Sequence, residues 1–140
     1  MKKNLFVFCL VVLNLFSLNA RAKTSVYTIK SLAEYQSAET KAIAGDTILW
    51  ASGTYHDVVW VVAKDGISVK AERPGAVIFS GSSKVEIKAN GTIFSGFQFI
   101  GGKADGDVCK ISGSHNVVEQ LNVSEYHSNY YFNIAASGRH

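Results

Sequence analysis

The stretch Cys109–Ser124, CKISGSHNVVEQLNVS, repeats the pattern of Val85–Ile100, VEIKANGTIFSGFQFI, 24 positions earlier and without a gap. Ile111 falls on Ile87 and Gly113 on Ala89. Val117 and Val118 fall on Ile93 and Phe94, and Leu121 and Val123 on Phe97 and Phe99. The polar positions correspond as well, Ser114 with Asn90 and Asn122 with Gln98. A fixed period of this length marks stacked units, none of which can bury its apolar face alone. A β-sandwich would give short strands and frequent turns but no such period. Lys110–His115 is echoed once more by Asn133–His140 with small insertions, so a next rung is predicted to begin at about Tyr131 and to break off at His140.

Working outward, short β-branched or aromatic runs alternate with turn residues from Ile67 onward. The turns are Pro74-Gly75, Gly81, Asn90-Gly91, Gly101-Gly102, Asp105-Gly106 and Gly113. Gly and Asn are expected at corners that need unusual backbone angles. Nearer the start, Ser25–Lys30 reads as a strand. Ser31 with Glu34 three residues on is a capping-box pattern, and Leu32, Tyr35 and Ala38 give a helical spacing over Leu32–Ala42. Thr47–Trp50 and Val58–Val62 read as strands with a turn at Ser52–Tyr55 between them. The fold class is therefore all-β: a right-handed, single-stranded parallel β-helix with an N-terminal capping helix, truncated after the first coils. The helix covers an end that would otherwise expose apolar surface and unpaired strand edges. The other end shows no such cap, so the chain is expected to be the front part of a longer protein.

The first 22 residues are set apart. Lys2 and Lys3 precede the apolar run Leu5–Leu18, and Ala20-Arg21-Ala22 follows it. This is the pattern of a secretory signal peptide cleaved after Ala22, and it predicts a secreted or periplasmic protein. A membrane anchor needs about 20 apolar residues, more than this run supplies. The expected organisation is a signal peptide at 1–22, a cap with the first strands at 23–62, and the first coils of an incomplete β-helix at 63–140. The whole chain carries 14 Lys and Arg against 11 Asp and Glu, a net charge of +3. Lys2, Lys3 and Arg21 leave with the signal, so the mature chain is neutral and nucleic acid is not an expected partner. Of the two cysteines, Cys9 leaves and Cys109 remains alone, so there is no disulfide framework and Cys109 reads as a small buried hydrophobe.

Ala44–Val62, AGDTILWASGTYHDVVWVV, looks like the opening of secreted β-helix polysaccharide lyases. Ile67–Gly102 resembles polysaccharide lyase family six, the alginate lyases and chondroitinase B. The matching features are Gly45-Asp46-Thr47, Gly53-Thr54-Tyr55, Ala71-Glu72-Arg73-Pro74-Gly75, Ser80-Gly81 and Gly96-Phe97 with Phe99. The resemblance implies β-elimination at a uronic acid in an acidic polysaccharide, of the alginate or chondroitin/dermatan type. It implies a calcium ion that neutralises the uronate carboxylate, a lysine base and an arginine beside the leaving oxygen. No Asn with Glu-x-Glu followed by Lys and Arg occurs in this sequence, so no catalytic residue is carried over. The calcium ligands are not expected in this chain, and the 140 residues alone are expected to be inactive.

Among candidate contacts, Glu125–Tyr131 reads as a surface loop whose aromatics and amides suit a sugar. His127, Asn129, Tyr130 and Tyr131 are the substrate-binding candidates. Asp105-Gly106-Asp107 reads as a polar loop rather than a calcium site, and His115 and His140 as corner residues rather than metal ligands. Lys84, Lys88 and Lys110 read as scattered, solvated charges, with a groove for an acidic polymer as the sharper alternative. Two other functions remain: a non-catalytic carbohydrate-binding β-helix with Tyr126, Tyr130 and Tyr131 as its face, and a pectate-lyase-like enzyme fragment.

Overall fold

A computed structural model describes residues 23–135. The signal peptide expected over residues 1–22, and His140 with the end of the last rung, lie outside the described residues. Strand β1 (Val26–Ile29) and helix α1 (Leu32–Lys41) come first. Four coils follow, each of three strands. The first is β2 (Thr47–Trp50), β3 (Gly53–His56) and β4 (Val59–Val62). The second is β5 (Ser68–Ala71), β6 (Val77–Gly81) and β7 (Lys84–Ile87). The third is β8 (Ile93–Ser95), β9 (Phe97–Lys103) and β10 (Asp107–Ile111). The fourth is β11 (Val117–Glu119), β12 (Asn122–His127) and β13 (Tyr130–Ile134). With β1 and α1 the solenoid has about five turns.

All strand pairs are parallel and each joins one coil to the next. The sheets run β1-β2-β5-β8-β11, β3-β6-β9-β12 and β4-β7-β10-β13. The 24-residue register holds from β8 to β11 and from β9 to β12, where Ile93 pairs with Val117 and Phe99 with Val123. It also holds from β7 to β10, where Ile87 pairs with Ile111. Elsewhere the coil length varies. Thr47 pairs with Ser68, Val59 with Lys84 and Val77 with Phe97.

Alternate side chains point inward, as the strand period requires. Ile48, Val69 and Phe94 form one buried ladder; Trp60, Val85 and Cys109 form another. In β13 Phe132 and Ile134 continue the inward ladders and are 47% and 77% exposed. An aromatic column fills the lower coils. Trp50 lies 5.2 Å from Phe79, which lies 4.7 Å from Trp60 and 5.3 Å from Phe99, centroid to centroid. Such side chains contribute about 1.5–3 kcal/mol each when fully buried. The indole N–H groups of Trp50 and Trp60 are buried without a partner among the described residues, which costs about 1–3 kcal/mol each.

Helix α1 closes the first coil as expected. The Ser31 hydroxyl accepts from the Glu34 N–H, and the Glu34 carboxylate reaches back to the N–H of Lys30. Tyr35 is buried and stacks 6.1 Å from Trp50. Its hydroxyl donates to Glu39, whose carboxylate also accepts from the N–H groups of Ala63 and Lys64 just beyond β4. Burial first, then Glu39, pushes the Tyr35 phenol far up.

Three local expectations are corrected. Gly53–Tyr55 is not a turn but part of β3, because it pairs in register with Val77–Phe79 above it. Glu125–Tyr131 is not one loop. β12 runs on to His127 and β13 begins at Tyr130, so only Ser128 and Asn129 lie between strands. Asparagine serves the corners through its side chain rather than through unusual φ. The Asp65 carboxylate accepts from the Asn90 backbone N–H (2.7 Å), and the Asn90 side-chain Oδ1 accepts from the Ser114 N–H (2.9 Å) one coil on. The non-glycine residues with positive φ are Asp57, His115, Gln120 and Glu125.

Candidate functional site

The residues that carry the family motifs are committed to the scaffold. Asp46 is 1% exposed and accepts from the N–H groups of Ser25 (2.7 Å) and Ile43 (2.9 Å), tying the cap strand to the first coil. The bond from Ile43, then that from Ser25, holds its carboxyl below the usual range. Glu72 accepts from the N–H and hydroxyl of Ser52 one coil below, and these bonds hold its carboxyl low too. Ser80 hydrogen-bonds His56 at 2.5 Å across β6 and β3.

Two concave regions flank the turn at Asp105-Gly106. One is a groove of about 320 Å³ on the outer face of the β4-β7-β10 sheet. Exposed Val59 and Val61 lie at its base, with Lys84, Glu86 and Lys110 beside them. The lysines are not scattered as expected. Lys110 and Lys88 lie 3.3 and 3.6 Å from Glu86, and Lys84 donates to the Asp105 carbonyl at 2.6 Å. Stacking one coil on the next causes this, since Glu86 and Lys110 are register partners. The bond from Ser112, then Lys110 and Lys88, holds the Glu86 carboxyl below its ordinary value.

The second region is an open hollow of about 460 Å³ where the segment after β9 meets that after β12. The segments are zipped together. Ala104 N–H donates to the His127 carbonyl, and Asn129 N–H to that of Gly106, both at 2.9 Å. His127 and Asn129 therefore come together here, as neighbours of Lys103, Asp105 and Ser128. Tyr130 and Tyr131 are exposed on β13 but lie outside the lining of the hollow. The Tyr131 hydroxyl donates to the Tyr126 carbonyl at 3.0 Å.

Tyr126 is not on a binding face. It is 4% exposed, and its hydroxyl bonds the carbonyls of Gly81 (2.9 Å) and Ser83 (2.8 Å). Its ring covers Gly102, its register partner, where a Cβ would come within 2.5 Å of the ring. Reading the segment as a loop hid this inward position. Sequence reasoning also missed Lys103. Extending the 24-residue match by three positions would have set it under His127, its register partner.

A calcium ion takes six to eight oxygen ligands. Among the described residues no three His, Cys, Asp or Glu side chains converge, and the Asp107 carboxylate is engaged by the Asn133 amide at 2.7 Å. The described residues do not fit the ion. Cys109 is buried, and burial pushes its thiol up to about 12. Among the described residues no helix is long and apolar enough to cross a membrane.

The family model of chondroitinase B matches residues 29–131. The chain belongs to the chondroitinase B family. Among solved structures it is similar to the PL6 family alginate lyase AlyGC, with 27% identity and a TM-score of 0.68 over 70% of this chain. A point variant of AlyGC matches equally well. The PL6 family polysaccharide lyase Pedsa3628 from Pseudopedobacter saltans is 26% identical over 69% of the chain, with a TM-score of 0.67. The chain spans 15% of the length of AlyGC and 24% of that of Pedsa3628. A search of curated proteins finds no match. Membership in the chondroitinase B family and the lyase-like β-helix agree with the resemblance read from the sequence.

Proposed function

We propose that this chondroitinase B family protein acts on acidic, uronate-containing polysaccharide of the alginate or chondroitin/dermatan type, cleaved by β-elimination. In this reading it is exported, with a signal peptide cleaved after Ala22. The described coils supply the scaffold and a sugar-binding surface that includes His127, Asn129, Tyr130 and Tyr131. The observation that carries the reading is the family match over residues 29–131. The open hollow that brings His127 and Asn129 beside Lys103 supports it, because an ammonium group suits a polymer that bears a carboxylate on each uronate.

Gel electrophoresis through alginate, dermatan sulfate or polygalacturonate tests the substrate class, with a neutral glucan as control. Retardation by alginate or dermatan sulfate but not by the glucan is expected. Indifference to both sinks the reading, and preference for polygalacturonate shifts it to a pectate-lyase type. Ultraviolet absorbance of unsaturated uronate product tests for elimination. A binding role without catalysis is the second reading. It is favoured by the exposed His127 and Asn129 of the hollow, which offer sugar contacts and need no elimination chemistry.

A further inference from the structure

Polar side chains on this solenoid are mostly spent on neighbouring coils. Asp57 holds Ser82, Asp65 holds Asn90, Glu86 holds Ser112, and Gln98 holds the carbonyl of Gly75. The hollow between residues 103–106 and 127–129 departs from this. The side chains of Lys103, Asp105, His127 and Asn129 line it and are exposed. None of the four makes a side-chain hydrogen bond or ion pair among the described residues. Ser128 lines the same hollow, and its hydroxyl oxygen is buried with no partner among the described residues. An oxygen closed off from water is closed off from a ligand in the hollow as well, so this one is a local cost rather than a contact. The backbone around it is fixed by the bonds from Ala104 to His127 and from Asn129 to Gly106. The fixed backbone holds these four uncommitted side chains at one place, so a ligand there has side chains but no main chain to order. In the groove across the turn, by contrast, the lysines are already engaged.

We propose that this hollow is a subsite for one uronate residue of the polymer, with the Lys103 ammonium on the sugar carboxylate. Asp105 and Asn129 take ring hydroxyls, and His127 lies beside Lys103 as a further polar contact. The assignment rests on the reading of this protein as a binder of uronate polysaccharide.

Isothermal titration with an alginate tetrasaccharide and with its carboxyl-reduced analogue tests the subsite, using the full chain. The parent protein binds the acid in preference to the reduced sugar. Lys103→Ala weakens the acid about tenfold, the loss of one charge-assisted contact worth about 1.4 kcal/mol, and removes the preference. Lys103→Arg retains it, and Asn129→Ala weakens both ligands alike. Both positions are exposed, and unchanged melting curves confirm intact folding. If the parent binds the acid and Lys103→Ala leaves that binding and its preference intact, the subsite assignment is overturned while the functional reading stands. If the parent binds neither alginate nor dermatan oligosaccharides, both fall.

Discussion

Replacing Phe79 by Ala should cost far more than any change to its neighbour Ile78, and the difference measures the inward register. Phe79 is fully buried and touches five aromatic rings, with centroids 4.7–5.7 Å away at Trp60, Trp50, Phe99, Tyr55 and Phe97. Phe→Ala in a closed core typically costs about 3–5 kcal/mol, from lost transfer free energy plus the cavity left behind. The ring pairs place Phe79 at the upper end of that range, since each contributes about 0.5–1.5 kcal/mol beyond area. Ile78, one position along β6, points outward and is half-buried, so Ile78→Thr should cost under about 1 kcal/mol. Urea unfolding reads both values, with Trp50 and Trp60 as fluorescence reporters beside the cavity. A midpoint shift with unchanged slope reports stability alone. Similar losses for the two variants would refute the alternation, and with it the pairing of β6 with β3 and β9.

Three further outcomes follow from named contacts. Gly113→Ala should destabilise by about 1–3 kcal/mol or more in urea, because a Cβ there would overlap the carbonyl oxygens of Ala89 and Lys88, which are backbone and cannot turn away. Cys109, with its thiol pushed up to about 12, should resist alkylation at pH 8 in the folded protein and react once urea unfolds it; equal rates would contradict its burial. Glu86, whose carboxyl is held below its ordinary value, adds stability above its unfolded-state pKa and loses it as pH falls through the folded value. Glu86→Gln should therefore flatten the acid side of the melting temperature profile, and an unchanged profile would count against the Ser112 and lysine contacts.

The coil Cys109–Ser124 was legible because its three strands and both intervening corners match the coil below residue for residue. Earlier coils hid their repeat. Val77 pairs with Phe97 twenty positions on and Val59 with Lys84 twenty-five on, so no single offset aligns them. Those differences sit at corners, where a changed length leaves the ladders intact. The helix was legible through Ser31 and Glu34, since capping is local chemistry. β3 was not, because Ser52-Gly53-Thr54 has turn composition and becomes a strand only through pairing with β6. The candidate site was half legible. His127 and Asn129 stood out by residue type, whereas Lys103 acquires meaning only when two coils are superposed. Tyr126 was misplaced for the same reason, as its inward position depends on Gly102 beneath it.

The parallel pairing of every strand also has a mechanical side. All three sheets direct their interstrand hydrogen bonds along the solenoid axis, so tension on the chain peels one coil at a time rather than shearing a sheet. A coil of about 24 residues pays out roughly 80 Å of extended chain, at about 3.4 Å per residue, while adding only about 4.8 Å of height to the stack. Each coil is thus a spool with more than tenfold stored length, and the side-chain bonds at its corners, Asp65 to Asn90 and Asn90 to Ser114, are the catches that must open before it unwinds.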